Sequence, residues 1–223
     1  MIEYLVFVPL GYLLGAIPFG YIAGKLFGGV DVRDHGSGSI GMTNVMRTVS
    51  RPVAILVLAL DMGKAVGAVV LAGMIADAPL VETLTGIAVI AGHSWSVFIG
   101  FSGGKGTATG WGALFALSPI AGIVASIIGV GIVALTRYVS LGSMVAATLG
   151  SLTLAIIAVV SESVPLEYAL YGAVGAPIIL FKHRDNIQRL LKGDERKLGQ
   201  KVDTVPNPTD SQPGKGLRWP RSA

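Results

Sequence analysis

Apolar residues occupy the chain in runs long enough to cross a bilayer, separated by short polar connections. Tyr4 to Gly24 is uncharged and stops at Lys25, which predicts a first helix of about the 20 residues that a ~30 Å hydrocarbon core requires. Glu3 stands where a signal peptide has its basic n-region and no small-x-small cleavage site follows, so this helix is expected to be retained. Pro52 to Ala76 predicts a second span, opened by a proline suited to a helix's first turn and interrupted by Asp61 and Lys64. Leu80 to Ile99 predicts a third. Gly106 to Thr136 carries no charge and exceeds one crossing; Ser118-Pro119 inside it predicts a short helix followed by a longer one. Tyr138 to Ser161 and Val164 to Phe181 complete an all-α polytopic membrane protein of about seven helices.

The connections sort by charge. Lys25, Arg33, Arg47, Arg51, Lys105, Arg137 and the segment from Lys182 alternate with connections carrying only Asp77, Glu82, Glu162 and Glu167. The positive-inside rule makes the first group cytoplasmic, placing the N-terminus outside and the C-terminus inside. Residues 1–200 read as one membrane-integral domain. Residues 201–223, with Pro, Asp, Ser, Gly and Lys in no period, read as a disordered cytosolic tail. No inverted repeat of the kind many transporters carry is visible.

Composition narrows the chemistry. The chain is 52% hydrophobic and only 13% charged, far below the roughly one-quarter charged content of soluble domains. It has no cysteine, which excludes disulfides, zinc-thiolate sites and thiol nucleophiles. No acidic metal cluster is visible, so neither metal nor cofactor is expected. The net charge of +4 is scattered and explained by topology, so a nucleic-acid partner is not expected.

Three polar segments then fall on one predicted face. In residues 34–47, "DHGSGSIGMTNVMR", glycines permit close backbone approach while Ser37, Ser39, Thr43 and Asn44 supply hydrogen-bonding groups ahead of Arg47. Such a set suits a phosphate; a capped turn entering an interfacial helix is the plainer explanation. In "GHSWSVFIGFSGGKGTATG", residues 92–110, Gly103, Gly104 and Gly106 surround Lys105 and Thr107 is placed to begin a helix, so an anion could rest on a helix N-terminus and exposed backbone N–H groups. It is not a Walker A loop, because Gly106 follows the lysine and Ile99 stands where the pattern needs its first glycine. A flexible turn with a snorkelling lysine remains the plainer reading. In "KHRDNIQRLLKGDERKLG", residues 182–199, a basic helix lying on the membrane explains most charges, but His183 and Asn186, three apart on one face, are placed to point back at the other loops.

Asp61 and Lys64, one turn apart deep in the second span, read as a mutually neutralising pair. His35 reads as a solvated loop residue and His93 as a hydrogen-bonded structural one. Ser140 and Ser143 add hydroxyls beside Arg137 on the same predicted face.

In order, "GSGSIGMTNVMR", "GHSWSVFIGFSGGKGTAT" and "HRDNIQRLLKGDE" resemble the three motifs of the bacterial acyl-phosphate:glycerol-3-phosphate acyltransferases, and the resemblance covers about residues 1–200. It implies a compact seven-helix enzyme with its motifs facing the cytoplasm of the bacterial plasma membrane. The implied reaction moves an acyl group from acyl phosphate to the sn-1 hydroxyl of glycerol 3-phosphate, at the start of phospholipid synthesis. Ser37, Arg47, Lys105, His183 and Asn186 are then expected in catalysis. Ser39, Thr43, Asn44, Gly103, Gly104, Gly106 and Ser143 are expected in substrate binding, and Asp61, Lys64 and Glu195 in support. An acyl-phosphate-forming enzyme is expected to supply the donor. The sequence departs from the family pattern at Ser39, usually asparagine, at Met42, usually alanine, and at Ser96, usually proline.

The His-x4-Asp dyad of other glycerolipid acyltransferases is absent: five residues beyond His35, His93 and His183 stand Ile40, Phe98 and Gln188. An acyl phosphate carries its own leaving group, so a substrate phosphate is the expected proton acceptor, with His183 as the fallback base. The rival class is a transporter or channel for a small anion.

Overall fold

The computed structural model describes residues 1–200, all helix, turn and loop with no strand among them; the expected tail, 201–223, lies outside the described residues. α1 (Ile2–Ala16) and α2 (Phe19–Ala23) run into a π-helical turn (Gly24–Gly28). A 3-10 turn (Val32–Asp34) and α3 (Met42–Thr48) lead to the long α4 (Arg51–Ala76). α5 (Pro79–Ser94), a 3-10 turn (Val97–Ile99), α6 (Thr107–Leu117), α7 (Pro119–Thr136) and α8 (Val139–Val160) follow. α9 (Tyr168–Lys182) turns at His183 into α10 (Arg184–Lys192). Among the described residues, four runs are long and apolar enough to cross a membrane: Ile2–Gly28, Arg51–Ala76, Pro119–Thr136 and Val139–Val160.

Most boundaries follow from local chemistry. Ser50 caps α4 by accepting the Val53 N–H, and Ser118 caps α7 by accepting that of Ala121; Pro52 and Pro119 then occupy first-turn positions where no N–H is missed. The expected first span is instead two helices. Pro18 forces Ile17 out of the helical region, to ψ 115°, and interrupts the apolar run without changing its hydropathy. The break frees carbonyls that other segments satisfy: Ser96 Oγ donates to Ala16 O at 2.5 Å and Lys64 Nζ to Ile17 O at 3.0 Å. The departure at Ser96 thus supplies a buried hydrogen bond that proline cannot make. The last span begins at Tyr168 rather than Val164, because Pro165 holds the preceding residue outside a helix. The third ends at Ser94, five residues early, where Trp95 leaves helical geometry.

Helices pack through small residues. α1 lies against α5 so closely that a methyl at Gly15 or Gly92 would overlap the opposing backbone, at Val89 O and Tyr12 O. One core gathers Val69, Ile90, Leu114, Leu154 and Tyr171 from α4, α5, α6, α8 and α9. A second, of Val32, Ile40, Val45, Ala54 and Val57, supports the first polar loop. Leu5, Ile55, Ile127 and Val159 face outward, as lipid-facing positions do.

Candidate active site

The three polar segments converge around a cavity of about 680 Å³. On its first wall, buried Asn44 clamps the loop ahead of α3. Its amide oxygen accepts the Ser37 N–H at 2.8 Å, and its amide nitrogen faces the carbonyls of Val32, Ser39 and His35 at 2.7, 2.9 and 3.1 Å. These bonds commit the Asn44 amide to the loop, and the residue also borders the cavity where a substrate contact is expected. Held this way, Ser37, Ser39, Thr43 and Arg47 line the cavity. Burial lowers the Arg47 guanidinium's proton affinity, and Arg196 and Arg189 nearby add to the effect.

The second wall is the start of α6. Gly106 caps this helix at φ +78° with no side-chain cap, and Gly106, Thr107 and Ala108 line the cavity, so the helix presents first-turn N–H groups that lack intrahelical partners. Lys105 enters beside them. Burial pushes its ammonium down to about 8; Glu195 opposes this, while Arg189 and Arg47 reinforce it.

Gly103 and Gly104 do not line the cavity, which corrects the expectation that their N–H groups meet phosphate. The Gly104 N–H donates to His93 O at 3.0 Å, and a methyl at either glycine would overlap the His93 carbonyl or ring. These glycines let the lysine loop seat on α5.

The third wall is the α9–α10 corner. His183 is 2% exposed, and its Nδ1–H donates to Ile179 O at 2.8 Å, which leaves Nε2 as the unprotonated nitrogen. Burial pushes this imidazole down to about 4, with Lys105 adding to the shift. Asn186 bridges two charges: its Oδ1 accepts from Lys105 Nζ at 2.5 Å and its Nδ2 donates to Glu195 Oε1 at 2.7 Å. Glu195 also accepts from Ser140 Oγ and from Arg189 Nε, each at 2.8 Å. Burial raises its carboxyl, but those three hydrogen bonds outweigh it and hold the group below the usual range.

Arg189 and Arg196 also line the cavity and went unnoticed in the sequence. Arg189 was legible, three residues beyond Asn186 on the same helical face. Arg196 was not: it sits in an irregular strap that donates to Gly36 O at 3.1 Å and is clasped by paired bonds between Leu198 and Arg137.

Away from these cations the wall turns apolar, with Trp111, Leu114, Ala125, Val130, Val133 and Ala146 from α6, α7 and α8; Ser143 lies between the two regions. Lys64, expected as the partner of Asp61, is not on the wall. Its ammonium contacts Asp61 Oδ1 at 2.7 Å, Ile17 O at 3.0 Å and His93 Nδ1 at 3.1 Å. Asp61 and His93 border the cavity beneath the loop.

Fold and cavity together define a helical membrane protein whose cavity joins a cationic end to an apolar one. The chain belongs to the glycerol-3-phosphate acyltransferase family, whose model matches residues 5–193. It is 42% identical over 212 residues to glycerol-3-phosphate acyltransferase 3 of Dehalococcoides mccartyi, covering 88% of this chain and 96% of that one. Identity to the glycerol-3-phosphate acyltransferase of Halalkalibacterium halodurans is 43% over 198 residues, with 87% and 95% covered. The crystal structure of PlsY (YgiH), an integral membrane glycerol 3-phosphate acyltransferase, in its glycerol 3-phosphate form matches with a TM-score of 0.81 at 38% identity, over 88% of this chain and 96% of that one. Its lysophosphatidic acid form gives 0.78 at 37% identity, with 87% and 94% covered.

Proposed function

We propose that this protein transfers an acyl group from acyl phosphate to the sn-1 hydroxyl of glycerol 3-phosphate, yielding lysophosphatidic acid and inorganic phosphate, the opening step of phospholipid synthesis. The observation that carries this reading is the two-part cavity: Arg47, Lys105, Arg189 and Arg196 beside the bare N-terminus of α6, continuous with an apolar groove between α6, α7 and α8. Two phosphates need the first part and an acyl chain needs the second. The relatives' names, and the two ligand forms of PlsY, support the acceptor and product.

In the reaction the sn-1 oxygen attacks the acyl carbonyl carbon, the bond from that carbon to the phosphate oxygen breaks, and the hydroxyl proton passes to a phosphate. Arg47 and Lys105 balance the charge on the phosphates and on the carbonyl oxygen as it becomes anionic. Ser37, Ser39, Thr43, Ser143 and Asn186 orient the substrates. An imidazole at about 4 is a weaker base than a phosphate whose second pKa is ~6, which favours the substrate as proton acceptor and gives His183 Nε2 an orienting role.

The donor test follows from the small anion-binding end, which offers no extended basic surface for the adenosine phosphate of coenzyme A. Purified protein in detergent, without added divalent metal, is expected to form lysophosphatidic acid from acyl phosphate and to use acyl-coenzyme A poorly or not at all. Efficient use of acyl-coenzyme A would overturn the donor assignment. Product formed in detergent, where no compartments exist, also separates an enzyme from an anion transporter.

Residues 1–200 form the catalytic unit in this reading, with seven crossings: the broken α1–α2 pair, α4, α5, α6, α7, α8 and α9. The N-terminus lies outside, and the polar end of the cavity faces the cytoplasm of the bacterial plasma membrane, where an acyl-phosphate-forming enzyme supplies the donor. The segregation of basic from acidic connections supports this orientation. Cysteines introduced at Ser39 or Ser102 should react with a membrane-impermeant reagent only once the cytoplasmic side is opened, and one at Ser163 in intact cells. Labelling of the first two from outside would reverse it.

A further inference from the structure

Asp61, Lys64 and His93 lie buried beneath the lysine loop, at 1%, 9% and 3% exposure. Asp61 is roughly 15 Å along α4 from its start, a depth at which charges are costly unless fully partnered. Lys64 supplies the opposite charge: its ammonium lies 2.7 Å from Asp61 Oδ1 and has Ile17 O and His93 Nδ1 at 3.0 and 3.1 Å. One of these partners exists only because Pro18 breaks the first helix and frees the Ile17 carbonyl.

The contacts also hold the histidine: its Nδ1 lies 3.1 Å from Lys64 Nζ and 3.4 Å from Asp61 Oδ1, which turns Nε2 away from the pair. That nitrogen lies against Gly104, where a Cβ would overlap it, and the Gly104 N–H donates to the His93 carbonyl. The residue preceding Lys105 is therefore seated on His93 by both ring and backbone. A continuous line of contacts runs from the broken first helix through Lys64 and His93 to the lysine loop.

We propose that Asp61, Lys64 and His93 form a positioning unit for Lys105, setting the height at which its ammonium enters the cavity. These residues act through Lys105 and touch no reacting atom. The inference rests on the acyltransferase reading. The wild-type assay keeps the two apart: a wild type that forms no lysophosphatidic acid sinks the function, whereas an active wild type leaves the variants to judge the positioning unit.

Gly104→Ala pushes the loop off the ring and is expected to lower kcat/KM by about tenfold to a hundredfold, the scale of an ångström-sized misplacement. His93→Ala removes the support, and the double variant should be no worse than Gly104→Ala alone because the obstructing ring is gone. The decisive measurement repeats these changes in a Lys105→Ala background, using acyl phosphate and glycerol 3-phosphate. A unit that works by placing the ammonium has nothing left to place there, so the further loss should be within about twofold. A general packing defect would persist in full. Should His93→Ala fail to fold, Gly104→Ala and His93→Gln, whose amide oxygen can accept from Lys64, carry the same cycle. Losses that persist undiminished in the Lys105→Ala background, or wild-type kinetics in Gly104→Ala, would overturn the proposal.

Discussion

Alanine at Lys105 or at Arg47 is expected to lower turnover by roughly a hundredfold or more while the helical fold and thermal midpoint survive. The stability half of this result follows from what each side chain leaves behind. Lys105 bonds to the neutral Asn186 oxygen, so its removal strands no buried charge. Arg47 stands near Arg189 and Arg196, and its loss relieves like-charge repulsion. Lys64 differs, because its removal would strand Asp61 at 1% exposure, a change that costs about 3–5 kcal/mol. The activity half follows from the reaction, which moves negative charge between two phosphates and a carbonyl oxygen beside these two cations. Steady-state kinetics on detergent-purified variants, beside thermal unfolding, checks both halves. Wild-type turnover in both variants would remove these residues from the chemistry.

The helices were legible because bilayer thickness writes itself into run length, and the α6–α7 split showed at Ser118-Pro119. The break at Ile17-Pro18 obeys the same proline rule but lies inside an unbroken apolar run, where hydropathy is blind to it. Ser37, Arg47, Lys105, His183 and Asn186, far apart in sequence, meet at one cavity. Glycine misled at 103–104 because the same freedom serves a phosphate or the protein's own backbone, and only the packing of α5 decides between them. Asn44 borders the cavity as expected, but its loop-clamping bonds were not legible, since an amide ahead of an arginine looks identical whether or not it also holds the loop. The Asp61–Lys64 pair was readable from one helix, but its third member, His93, belongs to another, and no local spacing links them.

The pH dependence of kcat/KM should carry the signature of Lys105. Its ammonium sits at about 8, below the ordinary lysine range, so the free enzyme is cationic there below that pH and loses the charge above it. If that charge stabilises the transition state, kcat/KM falls about tenfold per unit above pH 8, reaching roughly a hundredfold at pH 10. Bound phosphates favour the ammonium, so the same limb in kcat should lie at higher pH. Lys105→Arg keeps a permanent cation and should abolish the alkaline limb, whatever its residual rate. The acid limb identifies the proton acceptor. A substrate phosphate places it near ~6, whereas His183 would place it near about 4. Glu195, held below the usual carboxylate range, is ionised near pH 6 and does not produce a limb there. Profiles of the wild type, Lys105→Arg and His183→Asn decide the matter. An acid limb near 6 that survives in His183→Asn assigns the proton to substrate, and an alkaline limb unchanged in Lys105→Arg would deny Lys105 its electrostatic role.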